Sequence, residues 1–329
     1  MVEIIAEIAQ GYEGKPVLAM LLVRAAIRAN ADAIKLQLVY ADDSAIEKYP
    51  YYEFYKSLEM PFGVWKEIAE EVRRNGVKLY FDIGGERALK EAIDLRADGV
   101  KIHTTNFNNV PLVKKALAMF KKVFISFGGV EIDELKDFIA KHNIIPGNQT
   151  ILMYGFQSEP TPVESNNLNR ISALRKTFPG FDIGFMDHSN GTSDEGLTLA
   201  LLALPFGICS IEKHITLDTL LKIEDYISAL SPGDFKLFCK RVRHLECALG
   251  SENLELTEIE KEYRFKSMKV VISNKKLNKD TMLNSNDVTL KCVAYPHPPT
   301  SIHRVEDVIK HKLMVSVEPF EQITKDMIQ

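Results

Sequence analysis

The segment KLYFDIGGERALKEAIDLRADGVKIHTTNFNNVPLVKKALAMFKKVFIS, residues 78–126, contains the pattern that decides the fold. Three short runs rich in β-forming residues, at 78–81, 99–102 and 123–126, alternate with two stretches in which apolar residues recur every three or four positions. Such runs are typical of buried strands, and the spacing of three and four is typical of amphipathic helices. The segment therefore predicts consecutive strand–helix units of a parallel sheet.

The same alternation extends in both directions along the chain and ends near residue 250. Strands are predicted at 3–8, 33–38, 78–81, 99–102, 123–126, 150–154, 182–185 and 208–212. Helices are predicted after each of them, at 17–29, 62–75, 86–94, 110–120, 132–142, 168–178, 195–204 and 232–249. An eightfold βα repeat of about 250 residues is the size and pattern of a TIM barrel.

A charged, Glu-rich stretch follows the repeat, and beyond it the pattern changes to short strands and turns. We therefore predict a TIM-barrel catalytic domain at 1–250, a linker at 251–266 and a small, mostly β domain at 267–329.

The composition is that of an ordinary soluble enzyme. The chain has 329 residues, of which 46% are hydrophobic and 26% charged, enough for one large core and a second, smaller domain. A formal net charge of −4 offers no electrostatic case for nucleic acid. No apolar stretch reaches the ~20 residues of a membrane-spanning helix, and the N-terminus does not resemble a signal peptide. We expect a cytoplasmic protein.

Two histidines follow the last two predicted strands. His188 ends the motif GFMDH at 184–188, and His214 ends IEKH at 211–214. Two imidazoles at neighbouring strand ends can hold a divalent metal ion and leave coordination positions open for a substrate. Either histidine alone would more simply be structural, but acidic residues beside both favour a metal or substrate site. The ligand types do not choose among Mn²⁺, Mg²⁺ and Co²⁺.

Two lysines, Lys35 and Lys101, lie on the second and fourth predicted strands. In TIM barrels the active site lies at the carboxyl ends of the strands. A lysine there is costly to desolvate without an anionic partner, so this pair would suit a phosphate or a carboxylate. The alternative is that each lysine pairs with a nearby Asp or Glu and serves only the structure.

Taken together, these motifs resemble the sialic acid synthases, a family of phosphoenolpyruvate-dependent enzymes that make nonulosonic acids. The resemblance covers nearly the whole chain, because the family's motifs occur in the family's order: IAEI at 5–8, ADAIKLQ at 31–37, KI at 101–102, PTPVE at 160–164, GFMDH at 184–188 and IEKHITLD at 211–218. The tail resembles the family's antifreeze-like (SAF) domain through Arg264, Ser267, Leu283, Asp287 and ITKD at 323–326.

The resemblance implies that phosphoenolpyruvate condenses with an N-acyl hexosamine, such as N-acetylmannosamine, or with a modified hexose. The products would be a nine-carbon 3-deoxy-2-keto acid and phosphate, released by carbon–oxygen cleavage. It further implies that His188 and His214 hold the metal, with Mn²⁺ the first choice, to polarise the aldehyde. A domain-swapped homodimer is implied as well.

The same resemblance assigns the other site residues. Glu7 would stay ionised and handle a proton near the reacting centre as a base. Phosphoenolpyruvate would be held by Lys35, Lys101, Thr104, Ser126 and Gln157, and the sugar by Gln37 and Asp225. Asp187 is a candidate for orienting His188.

Several positions depart from the family. Residues 82–85 (DIGG) replace a Ser-Thr-Pro-Phe turn, Met186 replaces a serine, and Phe127 replaces a threonine, so three hydroxyls around the donor anion are lost. Residues 291–294 (KCVA) stand where the family has an Arg-Pro pair that reaches the partner's sugar, and Arg304 is the candidate substitute. We therefore expect a sugar other than N-acetylmannosamine.

Other functions and roles stay open at this point. One alternative is an aldolase, either metal-dependent or using Lys101 to form a Schiff base with a keto acid. Another is a catalytically silent sugar-binding homologue. His103 is expected to limit the size of the pocket rather than to bind metal, and the tyrosines at 49–55 are expected to pack or to form an interface.

Overall fold

A closed barrel of eight parallel strands dominates this computed structural model, which describes residues 1–294 and 296–329. The barrel belongs to the first of two compact units, Met1–Gly250. Neighbouring strands in the sequence are neighbours in the barrel, and the last strand pairs with the first. The strands are β1 (Glu3–Ala9), β2 (Ala33–Leu38), β3 (Lys78–Ile83), β4 (Gly99–Ile102), β5 (Val123–Ser126), β6 (Gly147–Tyr154), β7 (Phe181–Asp187) and β8 (Ser210–His214).

Helices surround the strands, so the predicted TIM barrel is confirmed. They are α1 (Pro16–Arg28), α2 (Ala41–Ser44), α3 (Tyr52–Leu58), α4 (Phe62–Arg74), α5 (Glu86–Asp94), α6 (Val110–Met119), α7 (Ile132–His142), α8 (Asn169–Thr177), α9 (Asp194–Thr198) and α10 (Pro232–Leu249). The helix predicted at 195–204 differs, because α9 is short and is followed by a 3₁₀ helix at Leu199–Phe206. Pro205 lies inside that segment and cannot donate a backbone hydrogen bond.

Side chains alternate along each strand between the barrel interior and the surrounding helices. On β2, Ile34, Leu36 and Leu38 belong to the apolar layer between strands and helices, whereas Ala33 belongs to a separate cluster. This inner cluster consists of Ile5, Ala33, Tyr80, Phe124, Ile151, Met153 and Met186. The lower interior is therefore apolar. On β1, β2, β3 and β5 the next inward-facing position, two residues further along the strand, is polar: Glu7, Lys35, Asp82 and Ser126.

The second unit, Ser251–Gln329, has its own small core. It contains a helix, α11 (Glu258–Ser267), and an antiparallel pair, β9 (Val270–Ser273) and β10 (Val288–Lys291). Helix α11 begins at a capping box formed by Thr257 and Glu260, so most of the stretch predicted as a linker is helical. The assignment of this unit as an antifreeze-like domain stays a prediction. In the described part of the chain, no helix is long and apolar enough to cross a membrane.

Candidate active site

A layer of buried charges lies directly above the apolar inner cluster, at the carboxyl ends of the strands. It comprises Glu7 of β1, Lys35 of β2, Asp82 of β3, Lys101 of β4 and Glu212 of β8, each no more than 4% exposed. Strand register explains the grouping, because Glu7 is level with Lys35, and Asp82 is level with Lys101. We call these five residues the charged layer.

Glu212 connects the two lysines of the charged layer. Its carboxylate lies 2.7 Å from Lys101 Nζ and 3.1 Å from Lys35 Nζ. Lys35 also forms an ion pair with Glu7, and Asp82 Oδ2 lies 3.7 Å from Lys35 Nζ and 3.8 Å from Lys101 Nζ. The structure thus brings both predicted anion-binding lysines together, and it pairs both with carboxylates, as the structural alternative expected.

The pKa values of the two glutamates in the charged layer are shifted in opposite directions. Burial raises the pKa of Glu7 to about 8, because the nearby Lys35 ammonium opposes this effect only in part and the Glu212 carboxylate adds to it. Burial also acts to raise the pKa of Glu212, but Lys101 and Lys35 outweigh it and hold that pKa below the ordinary value. Glu7 is therefore easier to protonate than an exposed carboxyl group. The expectation that Glu7 stays ionised took no account of complete burial, and it stays a prediction.

His188 and His214 lie side by side. Their ring centroids are 5.2 Å apart, and the two residues are only 6% and 4% exposed. Burial lowers the pKa of His214 to about 3, and it lowers the pKa of His188 well below 6.5. Both imidazoles are therefore neutral, which is the form that binds metal ions.

The donor set fits a divalent metal ion. His188 Nδ1 is buried and has no hydrogen-bond partner, and His214 Nδ1 lies 3.9 Å from Asp225 Oδ2. Within residues 1–294 and 296–329, no group of three or more His, Cys, Asp or Glu side chains is arranged to share an ion. Two histidine ligands would leave coordination positions for water and substrate. His103 does not join them, and its Nδ1 lies 3.0 Å from Thr105 Oγ1.

Asp187 does not orient His188, so that prediction is wrong. Asp187 Oδ2 lies 3.2 Å from Lys213 Nζ, and its Oδ1 accepts the backbone N–H of Ser189. Asp187 and Lys213 are level on β7 and β8, and both are fully buried. Alternation along the strands places this pair on the face opposite to His188 and His214. The Lys213 ion pair was missed because strand register is not visible in the sequence.

A cavity of about 560 Å³ opens at this end of the barrel. Gln37, Gln157 and Asp225, three predicted substrate residues, line it. Gln157 Nε2 donates to Asp225 Oδ1 at 2.5 Å and to Glu159 Oε1 at 3.0 Å, and Gln37 Oε1 accepts from Gln10. Asp225 connects this cavity with the histidine pair.

Of the three remaining predicted site residues, two lie in the barrel and one lies in the second unit. Thr104 Oγ1 and Ser126 Oγ are 3.0 Å apart and form a pair of hydroxyls near the carboxyl ends of β4 and β5. Ser126 Oγ also contacts Met186 Sδ at 3.8 Å. Arg304, by contrast, lies in the second unit, where it is exposed and pairs with Asp307.

Two tyrosines form part of the cavity wall. Tyr49 and Tyr55 stack with ring centroids 6.1 Å apart and line the cavity, although a packing or interface role was expected for them. Sequence reasoning also missed Asp82, Glu159 and Glu224, which line the same cavity. For Asp82 a signal was present, since it stands two residues after the inward-facing Tyr80.

Comparison with known proteins points to one family. The NeuB family model matches residues 22–254, which is more than two thirds of the chain. The human N-acetylneuraminate-9-phosphate synthase is 27% identical, over 99% of this chain and 92% of that protein. The N,N'-diacetyllegionaminic acid synthase of Campylobacter jejuni is 26% identical, over 88% of this chain and 89% of that protein.

A solved structure has the same fold. The N-acetylneuraminic acid (sialic acid) synthetase of Leptospira borgpetersenii, crystallised with citrate, superposes with a TM-score of 0.72 at 24% identity, covering 80% of this chain and 91% of that one.

Proposed function

The chain belongs to the NeuB family, and on this premise we propose that it condenses phosphoenolpyruvate with a hexosamine or modified hexose to form a nonulosonic acid and phosphate. The observation that carries the proposal is the charged layer, in which two buried lysines pair with Glu7 and Glu212 at the same end of the barrel as two buried histidines and a cavity of about 560 Å³. Its relatives include synthases of N-acetylneuraminate 9-phosphate and of N,N'-diacetyllegionaminic acid.

The donor would bind at Lys35 and Lys101. Phosphoenolpyruvate carries a carboxylate and a phosphate, both suited to charge-assisted hydrogen bonds from ammonium groups. Without donor, Glu212 and Asp82 neutralise these lysines, and the donor would compete for the same ammonium protons. The hydroxyls of Thr104 and Ser126 would supply further donors to the anion.

His188 and His214 would hold the divalent metal ion, with Mn²⁺ the first choice over Mg²⁺ and Co²⁺. When bound, the ion would polarise the acceptor aldehyde and stabilise the negative charge that develops on its oxygen. The chain's own groups prepare this site, because burial keeps both imidazoles neutral. Asp225 and Gln157 would hold sugar hydroxyls beside the histidines.

Glu7 would transfer protons during the reaction. The methylene carbon of phosphoenolpyruvate attacks the aldehyde carbon, and water adds to the phosphate-bearing carbon. Water loses a proton and the new alkoxide gains one, so a single carboxyl can serve both steps. A pKa of about 8 suits this exchange near neutral pH. The carbon–oxygen bond to phosphate then breaks, leaving the 2-keto group.

The Schiff-base form of the aldolase alternative is less well supported. A Schiff base requires a free lysine amine, whereas Lys101 Nζ is engaged in an ion pair with Glu212 at 2.7 Å. A homodimer remains part of the proposal, and its test is the molecular mass in solution.

The proposed function is tested by phosphate release from phosphoenolpyruvate with Mn²⁺ and a panel of hexosamines, with the keto acid identified by mass spectrometry. We expect one phosphate per keto acid, and loss of turnover with a chelator. Trapping of pyruvate on Lys101 by borohydride, with no phosphate released, would instead identify an aldolase.

A further inference from the structure

Asp82 differs from the other members of the charged layer in facing the cavity. Of the five residues of that layer, all of which lie in the described part of the chain, Asp82 is the one that lines the cavity. We infer that Asp82 is a specificity-determining residue, whose carboxylate covers Lys35 and Lys101 and has to be displaced when an anionic donor binds. The inference rests on the proposed function in taking these lysines as the donor site, but anion binding can be measured without turnover.

Strand register places Asp82 at the bottom of the cavity. It is level with Gln37 of β2 and with Lys101 of β4. Gln37 lines the cavity together with Asp82, whereas neither Lys35 nor Lys101 is among the described residues that line it. Both lysines are no more than 4% exposed. A ligand that enters from the cavity therefore meets the Asp82 carboxylate before it reaches either ammonium group.

Asp82 is held less firmly than Glu212, the other carboxylate that contacts both lysines. The Glu212 oxygens lie 2.7 Å from Lys101 Nζ and 3.1 Å from Lys35 Nζ. Asp82 Oδ2 forms ion pairs with the same two atoms at 3.8 Å and 3.7 Å, and it makes no hydrogen bond within the described residues. Charged groups that are also hydrogen-bonded interact more strongly. An incoming anion would therefore displace Asp82 rather than Glu212.

The charge balance shows why Asp82 opposes the donor. Glu7 and Glu212 already supply one carboxyl group for each lysine, and Asp82 adds a third. Phosphoenolpyruvate brings a carboxylate and a phosphate to the same place. Buried like charges that lie close together repel strongly. Removal of the Asp82 charge should therefore favour anion binding.

The position of Asp82 in the sequence agrees with this role. Asp82 begins the DIGG turn, which stands where the sialic acid synthases have a Ser-Thr-Pro-Phe turn. A hydroxyl can donate a hydrogen bond to an anion, whereas an ionised carboxylate only accepts. The chain has thus exchanged a group that attracts the donor for one that repels it.

The test is the affinity of the full chain for inorganic phosphate and for phosphoenolpyruvate, measured separately by calorimetry with a chelator and without acceptor. We expect Asp82→Asn and Asp82→Ser each to bind both anions roughly tenfold or more tightly than the wild type. If both variants bind inorganic phosphate no more tightly than the wild type, or do not bind it at all, the inference is overturned.

Two further variants assign the effect to the lysine pair. Glu224 lines the same cavity at an exposed position, so Glu224→Gln removes an equal charge that water and salt already screen, and it should change the affinity at most about twofold. A gain equal to that of Asp82→Asn would overturn the inference. Adding Lys101→Met to Asp82→Asn should abolish most of the gain, and a gain that persists in full would show that Asp82 does not cover the lysines.

Melting temperatures show whether the variants fold. Asp82→Asn leaves Glu7 and Glu212 paired with the lysines, so we expect a folded barrel. Inorganic phosphate should raise the melting temperature of Asp82→Asn more than that of the wild type, because a ligand stabilises the folded state according to its affinity. An equal rise in both proteins would contradict tighter binding.

The two proposals can fail separately. Tighter binding of inorganic phosphate by both Asp82 variants, with no phosphate released from phosphoenolpyruvate by any of the proteins, would support the inference and refute the proposed function. Turnover of phosphoenolpyruvate by the wild type, with unchanged anion affinity in both Asp82 variants, would do the reverse.

Discussion

Replacing Glu7 by glutamine should change how the stability of the barrel depends on pH. Burial raises the pKa of Glu7 to about 8 in the folded protein, whereas the ordinary value is near 4.5. Between these values the folded state binds more protons than the unfolded state, so the free energy of unfolding falls as the pH rises. Glu7→Gln has no such proton to release, and this contribution should vanish.

The size of the effect follows from linkage. A group protonated only in the folded state lowers the free energy of unfolding by up to about 1.4 kcal/mol per pH unit. From about pH 5 to about pH 7.5, the free energy of unfolding of the wild type should fall by roughly 3 kcal/mol relative to that of Glu7→Gln. Loss of one acceptor for Lys35 adds a penalty to the variant that does not depend on pH.

The assay is denaturant unfolding of both proteins at several pH values, with a chelator present so that no metal alters the charges. The barrel transition is followed separately from that of the second unit, because a two-unit chain need not unfold in one step. The control variant is Glu67→Gln, at an exposed position on α4. Its free energy of unfolding should depend on pH in the same way as that of the wild type. If the difference in free energy of unfolding between the wild type and Glu7→Gln stays constant from about pH 5 to about pH 7.5, the raised pKa of Glu7 is refuted.

Three further results are expected. His188→Ala and His214→Ala should each weaken Mn²⁺ binding, measured by electron paramagnetic resonance, by at least about tenfold, and unchanged affinity in either variant would remove that residue from the metal site. Lys101→Met should raise the KM for phosphoenolpyruvate roughly 10- to 100-fold through loss of charge-assisted hydrogen bonds, so an unaltered KM would contradict its role. Lys213→Met should lower the free energy of unfolding by about 3–5 kcal/mol, because it leaves the buried Asp187 unpaired, and a melting temperature like that of the wild type would contradict this.

The fold was predictable because the repeat is regular and local. The run at 33–38 alternates Ala, Lys and Gln with Ile and Leu, and the structure places Ile34, Leu36 and Leu38 in the outer layer and Lys35 in the charged layer. The rule that barrel active sites lie at the carboxyl ends of the strands then located Lys35, Lys101 and both histidines.

Several features of the site could not be predicted from the sequence, because they depend on strand register, on burial and on long-range packing. Asp187 and Lys213 pair because β7 and β8 place them level, and no local pattern contains that information. The raised pKa of Glu7 arises from complete burial beside Glu212, a residue about 200 positions away along the chain. Tyr49 and Tyr55 line the cavity because the segment after β2 folds back over the barrel end, which long-range packing determines.

The central claim is that this site cleaves the carbon–oxygen bond of phosphoenolpyruvate while joining it to a sugar aldehyde. The most direct measurement uses phosphoenolpyruvate labelled with ¹⁸O in the oxygen that bridges carbon and phosphorus, with Mn²⁺ and an accepted hexosamine. We predict that all of the label leaves with the released phosphate and that none remains in the 2-keto acid. Label retained in the keto acid, or a keto acid formed without phosphate release, would contradict the account.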